Sequence, residues 1–325
     1  MRLAHPTFVR TLLITQILSL VVIGILAVTN NRSNLNENGN YPFLAKRLFL
    51  NHPNDIIINF TPLRDQLETY IAAQKEQIGV YFEYLPTGTS ININGKEEFY
   101  RASLVKLPVV MRAYKYIEAG MLSLDDVLTI EQKQLNKEYG DVWKQGVGTK
   151  ITVRDVIQAI LVKSDNTAFN VLYEKVNVQL RNDLPSGDLS ADDVYDYLDI
   201  PHNTGSISPM ITPKNFTSIL KGLYFSSYLS YLHSNEILNS LTQPRTEDWI
   251  RSAVPSTIRV ADKIGVYTAE PAAQHVYADC GIIYYPERSY SLCIMIRSDN
   301  ATTAVPQIHD ISKKVYEYIQ QPNAL

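Results

Sequence analysis

Hydrophobic positions along this chain change their rhythm from one region to the next. From Thr11 to Thr29, TLLITQILSLVVIGILAVT, apolar residues run on without a single charge. A helix of that length, at about 1.5 Å per residue, nearly crosses a hydrocarbon layer of about 30 Å. Further on the rhythm alternates: Ile78, Val80, Phe82 and Tyr84 share one side of a strand, Pro86-Thr87-Gly88 turns, and Ile91 and Ile93 return as a hairpin. Strand-like runs come back at TIRVADKIG, HVYADCGIIYY and SYSLCIMIR. Between Ser103 and about Leu241 the period is helical, with LVKLPVVMRAYKYIEAGM, VRDVIQAILVK, TAFNVLYEKV, ADDVYDYL and PKNFTSILKGLY as successive segments. A helix from Leu63 to Gln74, capped by Thr61 with Pro62 at its first position, precedes the hairpin, and another over about Ile308 to Gln321 closes the chain.

Strands at both ends must meet in one sheet, so the helical block is an insertion. The predicted fold class is α/β of the α+β kind: an antiparallel sheet flanked by N- and C-terminal helices, carrying an inserted all-α subdomain. Leu104 to Ile117 is apolar on nearly every face, which marks a helix buried all round. Pro108 lies in its second turn, where it removes one bond with little damage.

Charge decides how the first apolar run is read. Arg2 and Arg10 precede it and no acidic residue occurs before Glu37, so basic residues hold the N-terminus inside. This predicts a cytoplasmic tail over 1–10, a single anchor in the lipid bilayer over 11–29, a polar linker and extended lead-in over 30–60, and an extracytoplasmic domain over 61–325. A cleaved signal peptide is the rival reading; the apolar run is long for one, and Ala27-Val28-Thr29 is a poor cleavage site. Over the whole chain, 30 Lys and Arg against 33 Asp and Glu leave a charge of -3. With no long basic run, nucleic acid is not an expected partner. The six His and two Cys show no metal-ligand spacing. Neither a metal nor a cofactor is implied, and a monomer is expected. If Tyr285 faces Tyr290 across the last turn, Cys280 and Cys293 share a face but sit diagonally, so both are expected as free core thiols.

The chemistry is carried by short motifs. Ser103-Leu104-Val105-Lys106 opens the buried helix and puts a hydroxyl and an amine on one helical face. A buried lysine loses basicity and can accept the serine proton. A helix N-terminus supplies free N–H groups for a developing oxyanion. Ser164-Asp165-Asn166 falls in a break between two helices, and Lys263-Ile264-Gly265 ends a strand. Each motif has a decoy, at Ser218 to Lys221, Ser298-Asp299-Asn300 and Lys144-Gln145-Gly146. Only the first set stands in an ordered context.

In that order and context the motifs resemble S-x-x-K, S-D-N and K-T-G of the class A β-lactamases and penicillin-binding peptidases. The resemblance runs from about Ile78 to the last helix, and includes Arg101-Ala102 before the serine, Leu124-Asp125-Asp126 and Ile151-Thr152-Val153. It implies a β-lactamase/D,D-peptidase-like fold with Ser103 acylated, Lys106 accepting its proton and Ser164 relaying a proton to the leaving nitrogen. Lys263 would orient Ser164 and attract a substrate carboxylate. Asn166 would bind the substrate amide, and Gly265 and Val266 would line the cleft, with the N–H groups of Ser103 and Val266 as the oxyanion hole.

The pattern departs in places that matter. Ile264 replaces the usual Thr or Ser, removing a donor worth about 1.5–3 kcal/mol to a charged partner. The family's E-x-x-L-N glutamate has no counterpart, since no Glu occurs between Glu174 and Glu236. Asp199 precedes Asn203 at the family's spacing and is a possible deacylation base; a plain helix end over Tyr195 to Ile200 is the preferred reading. Without a base, acylation proceeds and hydrolysis is slow. The expected function is an anchored serine hydrolase acting on β-lactams or on peptidoglycan-type amide or ester substrates. The alternative is a degenerate penicillin- or peptidoglycan-binding module on the same scaffold. Tyr139 and Trp143, in the loop before Ser164, are expected to be packed rather than to line the cleft.

Overall fold

The computed structural model describes residues 42–43, 59–179, 193–201, 209–245, 247–269 and 275–321. The anchor expected at 11–29 lies outside them. Among the described residues no helix is long and apolar enough to cross a membrane.

Strands β1 (Gln77–Tyr84), β2 (Thr89–Ile93), β7 (Val260–Tyr267), β8 (Val276–Ile283) and β9 (Tyr290–Arg297) form one antiparallel sheet in the order β2-β1-β9-β8-β7. Both ends of the chain therefore contribute to one sheet, as the alternating pattern required. On one face lie α1 (Thr61–Ala72) and the last helix α8 (Ala301–Gln320). Leu63 and Leu67 of α1 and Ile308, Ile311 and Val315 of α8 share a core with Phe82, Leu292 and Ile294 of the sheet. The opposite face carries the helical insertion, whose centre is α2 (Lys106–Glu118). Every residue of α2 from Lys106 to Tyr114 is buried. The helix is thus wrapped on all sides, and Pro108 falls in its first turn, where its missing N–H has no intrahelical partner to lose.

The insertion continues through β3 (Phe99–Tyr100), β4 (Val127–Thr129), β5 (Lys150–Thr152), α3 (Val153–Lys163), α4 (Asn166–Tyr173), α5 (Asp193–Tyr197), β6 (Met210–Ile211), α6 (Pro213–Tyr224) and α7 (Tyr231–Leu241). Helix α3 is capped by Thr152, whose hydroxyl accepts from Asp155 N–H at 3.1 Å.

Several expectations need correcting. Helix α1 starts at Thr61 itself, preceded by Phe60 without a side-chain cap. Helix α8 begins at Ala301, a full two turns before Ile308: Asn300 Oδ1 accepts from Thr303 N–H at 3.0 Å, and Pro306 is carried inside the helix. The Ser298-Asp299-Asn300 decoy is this cap. The final hairpin pairs Ile283, not Tyr285, with Tyr290. That register sets Cys280 directly opposite Cys293, Cα atoms 3.9 Å apart, and the two form a buried disulfide instead of free thiols.

Candidate active site

The constellation is assembled where the 3₁₀ turn Ala102–Val105, the break between α3 and α4, and strand β7 converge. Ser103 sits in the turn that leads into α2, early enough in it for its N–H to be among those a helix start leaves unpaired. Ala102, just before it, has φ +43°, a left-handed conformation that costs a non-glycine residue about 1 kcal/mol or more. Lys106 follows one turn later and is 2% exposed.

Lys106 Nζ reaches Ser103 Oγ at 3.1 Å, Ser164 Oγ at 3.2 Å, the Ser164 carbonyl at 2.5 Å and Asn166 Oδ1 at 2.6 Å. The two shortest partners are carbonyl oxygens, which only accept. A neutral amine has two hydrogens, and these contacts use both. Its single lone pair is then left for one hydroxyl at a time, that of Ser103 or that of Ser164. Burial makes that state accessible by bringing the Lys106 ammonium down from its ordinary 10.5 to about 7, against a smaller upward pull from Asp165.

The Ser164-Asp165-Asn166 segment is shaped by its own side chains. Ser164 ends α3 in a left-handed conformation, φ +53°. The buried Asp165 carboxylate caps α4 by accepting from Ala168 N–H at 2.8 Å. Its other oxygen accepts from the N–H groups of Asp141 (2.6 Å) and Val142 (2.8 Å), which ties the preceding loop to the break. Asn166 is held by Lys106 at one end and donates from Nδ2 to Asn136 Oδ1 at 3.1 Å. Asp165 is thus the N-cap of α4, and Asn166 is the first residue of the helix.

Lys263 lies within β7, two residues further from its end than the triplet suggested, on the sheet face toward the helical insertion, and it is fully buried. Its Nζ donates to Ser164 Oγ at 2.8 Å and to the Ile264 carbonyl at 3.0 Å. Burial, then repulsion from Lys106 and Arg245, hold it well below the ordinary lysine range despite Asp262 and Asp279. A continuous line of polar contacts therefore runs from Ser103 Oγ through Lys106 Nζ and Ser164 Oγ to Lys263 Nζ. Arg245, which sequence reasoning missed, donates to the Asp262 carbonyl and carboxylate. It belongs to no motif, and its place beside β7 is a product of the fold alone.

Strand β7 is an edge of the sheet. In an antiparallel ladder a residue's N–H and C=O point the same way. The outward carbonyls of Val260, Asp262 and Ile264 all accept from side chains along that edge, namely Arg251, Arg245 and Lys263. By the same parity Val266 points its N–H outward, next to Ser103. Gly265 is required between them: a Cβ there would lie 2.9 Å from Leu104 Cγ and 3.2 Å from the Arg101 carbonyl. Ile264 is buried in the opposite core and offers no hydroxyl substitute.

Asp199 is exposed, in the turn that ends α5, at φ +51°. Among the described residues no hydrogen bond links its carboxylate to the Ser103 cluster; Asn203 lies outside them. Tyr139 corrects the packing expectation. It is 39% exposed, accepts from Asn166 N–H at 3.0 Å through its carbonyl, and its hydroxyl, pushed up to about 12 by burial and by Glu247, spans toward the Arg245 segment. Trp143 is half-buried, with Nε1 donating to the Gly140 carbonyl. The decoy pairs are accounted for: Ser218 bonds the Lys214 carbonyl while Lys221 pairs with Glu83 at 2.7 Å, and Lys144 pairs with Asp141. Among the described residues no group of three or more metal-ligating side chains converges.

A profile described as the beta-lactamase enzyme family matches residues 62–319. Beta-lactamase CARB-3 of Pseudomonas aeruginosa is 23% identical over 212 residues, covering 63% of this chain and 73% of that protein. A beta-lactamase of Phocaeicola vulgatus is 23% identical over 276 residues, 80% of this chain and 85% of its own length. Among solved structures, PBP-A shares the fold with a TM-score of 0.68 at 19% identity, covering 81% of this chain and 99% of its own. A beta-lactamase from Sphaerobacter thermophilus DSM 20745 gives 0.67 at 21% identity, covering 81% and 98%. With a match across nearly all of the folded part and the serine–lysine network in place, the chain belongs to the beta-lactamase enzyme family, as a class A-like serine hydrolase.

Proposed function

We propose that Ser103 is acylated by β-lactams, or by amide or ester bonds of peptidoglycan-type substrates, and that the acyl-enzyme is released slowly. The observation that carries this reading is the Lys106 amine, 3.1 Å from Ser103 Oγ with both its neutral-form hydrogens committed to carbonyls. Lys106 accepts the Ser103 proton as Oγ bonds to the substrate carbonyl carbon. The oxyanion so formed is met by the N–H groups of Ser103 and Val266. As the C–N bond breaks, the proton passes from Lys106 through Ser164, 3.2 Å away, to the leaving nitrogen. Lys263 holds Ser164 in line and, with Arg245 close by, gives the cleft a positive end suited to a substrate carboxylate. Asn166 contacts the substrate amide.

Slow release rests on the missing glutamate and on Asp199 standing apart from this network. PBP-A, which shares the fold, has been solved in a mutant form as an acyl-enzyme complex with penicillin G. The proposed setting is extracytoplasmic, on a single N-terminal anchor over 11–29, with a monomeric catalytic domain. The buried Cys280–Cys293 disulfide supports an oxidising compartment. A fluorescent penicillin tests the reading. Wild type should carry a lasting adduct on Ser103 by mass spectrometry and Ser103→Ala none; a folded wild type of unchanged mass would instead make this a binding module.

A further inference from the structure

We propose that the stacked rings of Tyr100 and Tyr267 are a positioning pair that fixes the spacing between the oxyanion donors at Ser103 and Val266. The inference rests on the acylation reading above and deepens it. Tyr100 ends β3 three residues before Ser103, and Tyr267 directly follows Val266. Their ring centroids are 3.8 Å apart with planes inclined by 21°, a face-to-face contact between two chain segments far apart in sequence.

Those segments need fixing. Ala102 stands between Tyr100 and Ser103 in the left-handed region, at φ +43°. A non-glycine residue keeps such a conformation only where its surroundings dictate it. On the downstream side Leu104 lies hard against Gly265, which sets the height of the turn over β7. On the upstream side Arg101 N–H donates to the Pro209 carbonyl at 2.9 Å, which holds the segment to β6, while the Arg101 carbonyl lies close over Gly265 of β7. The tyrosine stack adds a side-chain tie to β7 on that side. Ser103 is thereby held at two points, one on each side, against the strand that carries the second donor. Both rings are half-buried and pack on the helical-side core. Neither hydroxyl has a hydrogen-bond partner among the described residues, so the ring faces carry the contact and phenylalanine would preserve it.

The test compares full-length wild type with Tyr267→Leu, Tyr100→Leu, the double variant, and Tyr267→Phe. Leucine keeps apolar bulk, so the fold is retained, but it has no flat face to stack. Two quantities are read on penicillin G: the acylation rate by rapid-quench mass spectrometry, and the stretching frequency of the acyl-enzyme carbonyl by infrared difference spectroscopy, which reports how strongly the two N–H groups polarise it. Each leucine variant should acylate about tenfold more slowly, the cost of displaced donors, with the carbonyl band moved to higher frequency. The double variant should be no slower than either single one, and Tyr267→Phe should match wild type. Leucine variants that lose thermal stability but keep the wild-type band would overturn the positioning role and leave only packing. A wild type that takes up no acyl group would overturn the acylation reading itself, and the role of the stack with it.

Discussion

Acylation of Ser103 should track the deprotonation of Lys106, with a midpoint close to neutral pH. The perturbation is pH itself. Burial brings the Lys106 amine to about 7. On that basis about half of the molecules hold a neutral base at pH 7 and about 1% at pH 5, so the rate should fall about fiftyfold between them. From pH 7 to 9 it should rise no more than about twofold, because the neutral form is then nearly saturated. A lysine at its ordinary value would instead give a rate climbing about tenfold per pH unit through pH 9. Rapid-mixing measurement of penicillin adduct formation between pH 5 and 9, at constant ionic strength, separates the two. A climb that continues through pH 9, or a profile flat from 5 to 9, would refute the assignment of Lys106 as base. Lys106→Arg, charged throughout this range, should lose acylation at every pH. The same depression has a cost in stability. The unfolded chain holds this proton up to about pH 10.5 and the folded one only to about 7, so the penalty is complete below pH 7 and disappears as pH rises through 10.5. At full size it is about 5 kcal/mol.

Ser164→Ala removes the relay between the two lysines and should lower the acylation rate at least about a hundredfold with little change in penicillin affinity, seen as a fall in maximal rate alone. Gly265→Ala would drive a Cβ to within 2.9 Å of Leu104 Cγ, and should cost about 1–3 kcal/mol in denaturant unfolding and slow acylation as well. Reducing Cys280–Cys293, which closes a loop of sequence separation 13, should cost about 3 kcal/mol and lower the thermal midpoint by roughly 5–10 °C; an unchanged midpoint would mean the pair is not bonded in solution.

The motifs were legible because each combines a chemical pair with a fixed helical or strand period. Ser103 and Lys106 share a helical face, and the Ser164 break follows a strongly periodic segment whose limits, 153–163, match the structure, as do those of the later segment 213–224. What was not legible depended on one-residue registers and on tertiary partners. The cysteine pairing escapes the sequence because a turn around Pro286-Glu287 is equally compatible with Tyr285 facing Tyr290, two residues away from the observed pairing with Ile283. Helix α8 reads short because Pro306 looks like a boundary, whereas the Asn300 cap and the buried face of Ile308, Ile311 and Val315 carry the helix through it. Helix α7, with polar Ser, Asn and His among few apolar positions, carries too weak a period to stand out. Tyr139 acquires its position only when its loop folds onto the Ser164 break, and Arg245 only when it lies beside β7, which no local pattern records.

An exposed sheet border is a place where unrelated chains add on and start an aggregate. Here three successive outward carbonyls on β7 are each covered by a cationic side chain, from Arg251, Arg245 and Lys263. The next rung, at Val266, lacks such a cover among the described residues and sits beside the nucleophile. An extended peptide seeking a strand partner would therefore find a single free docking step, at the one spot where pairing leads to chemistry rather than to self-association.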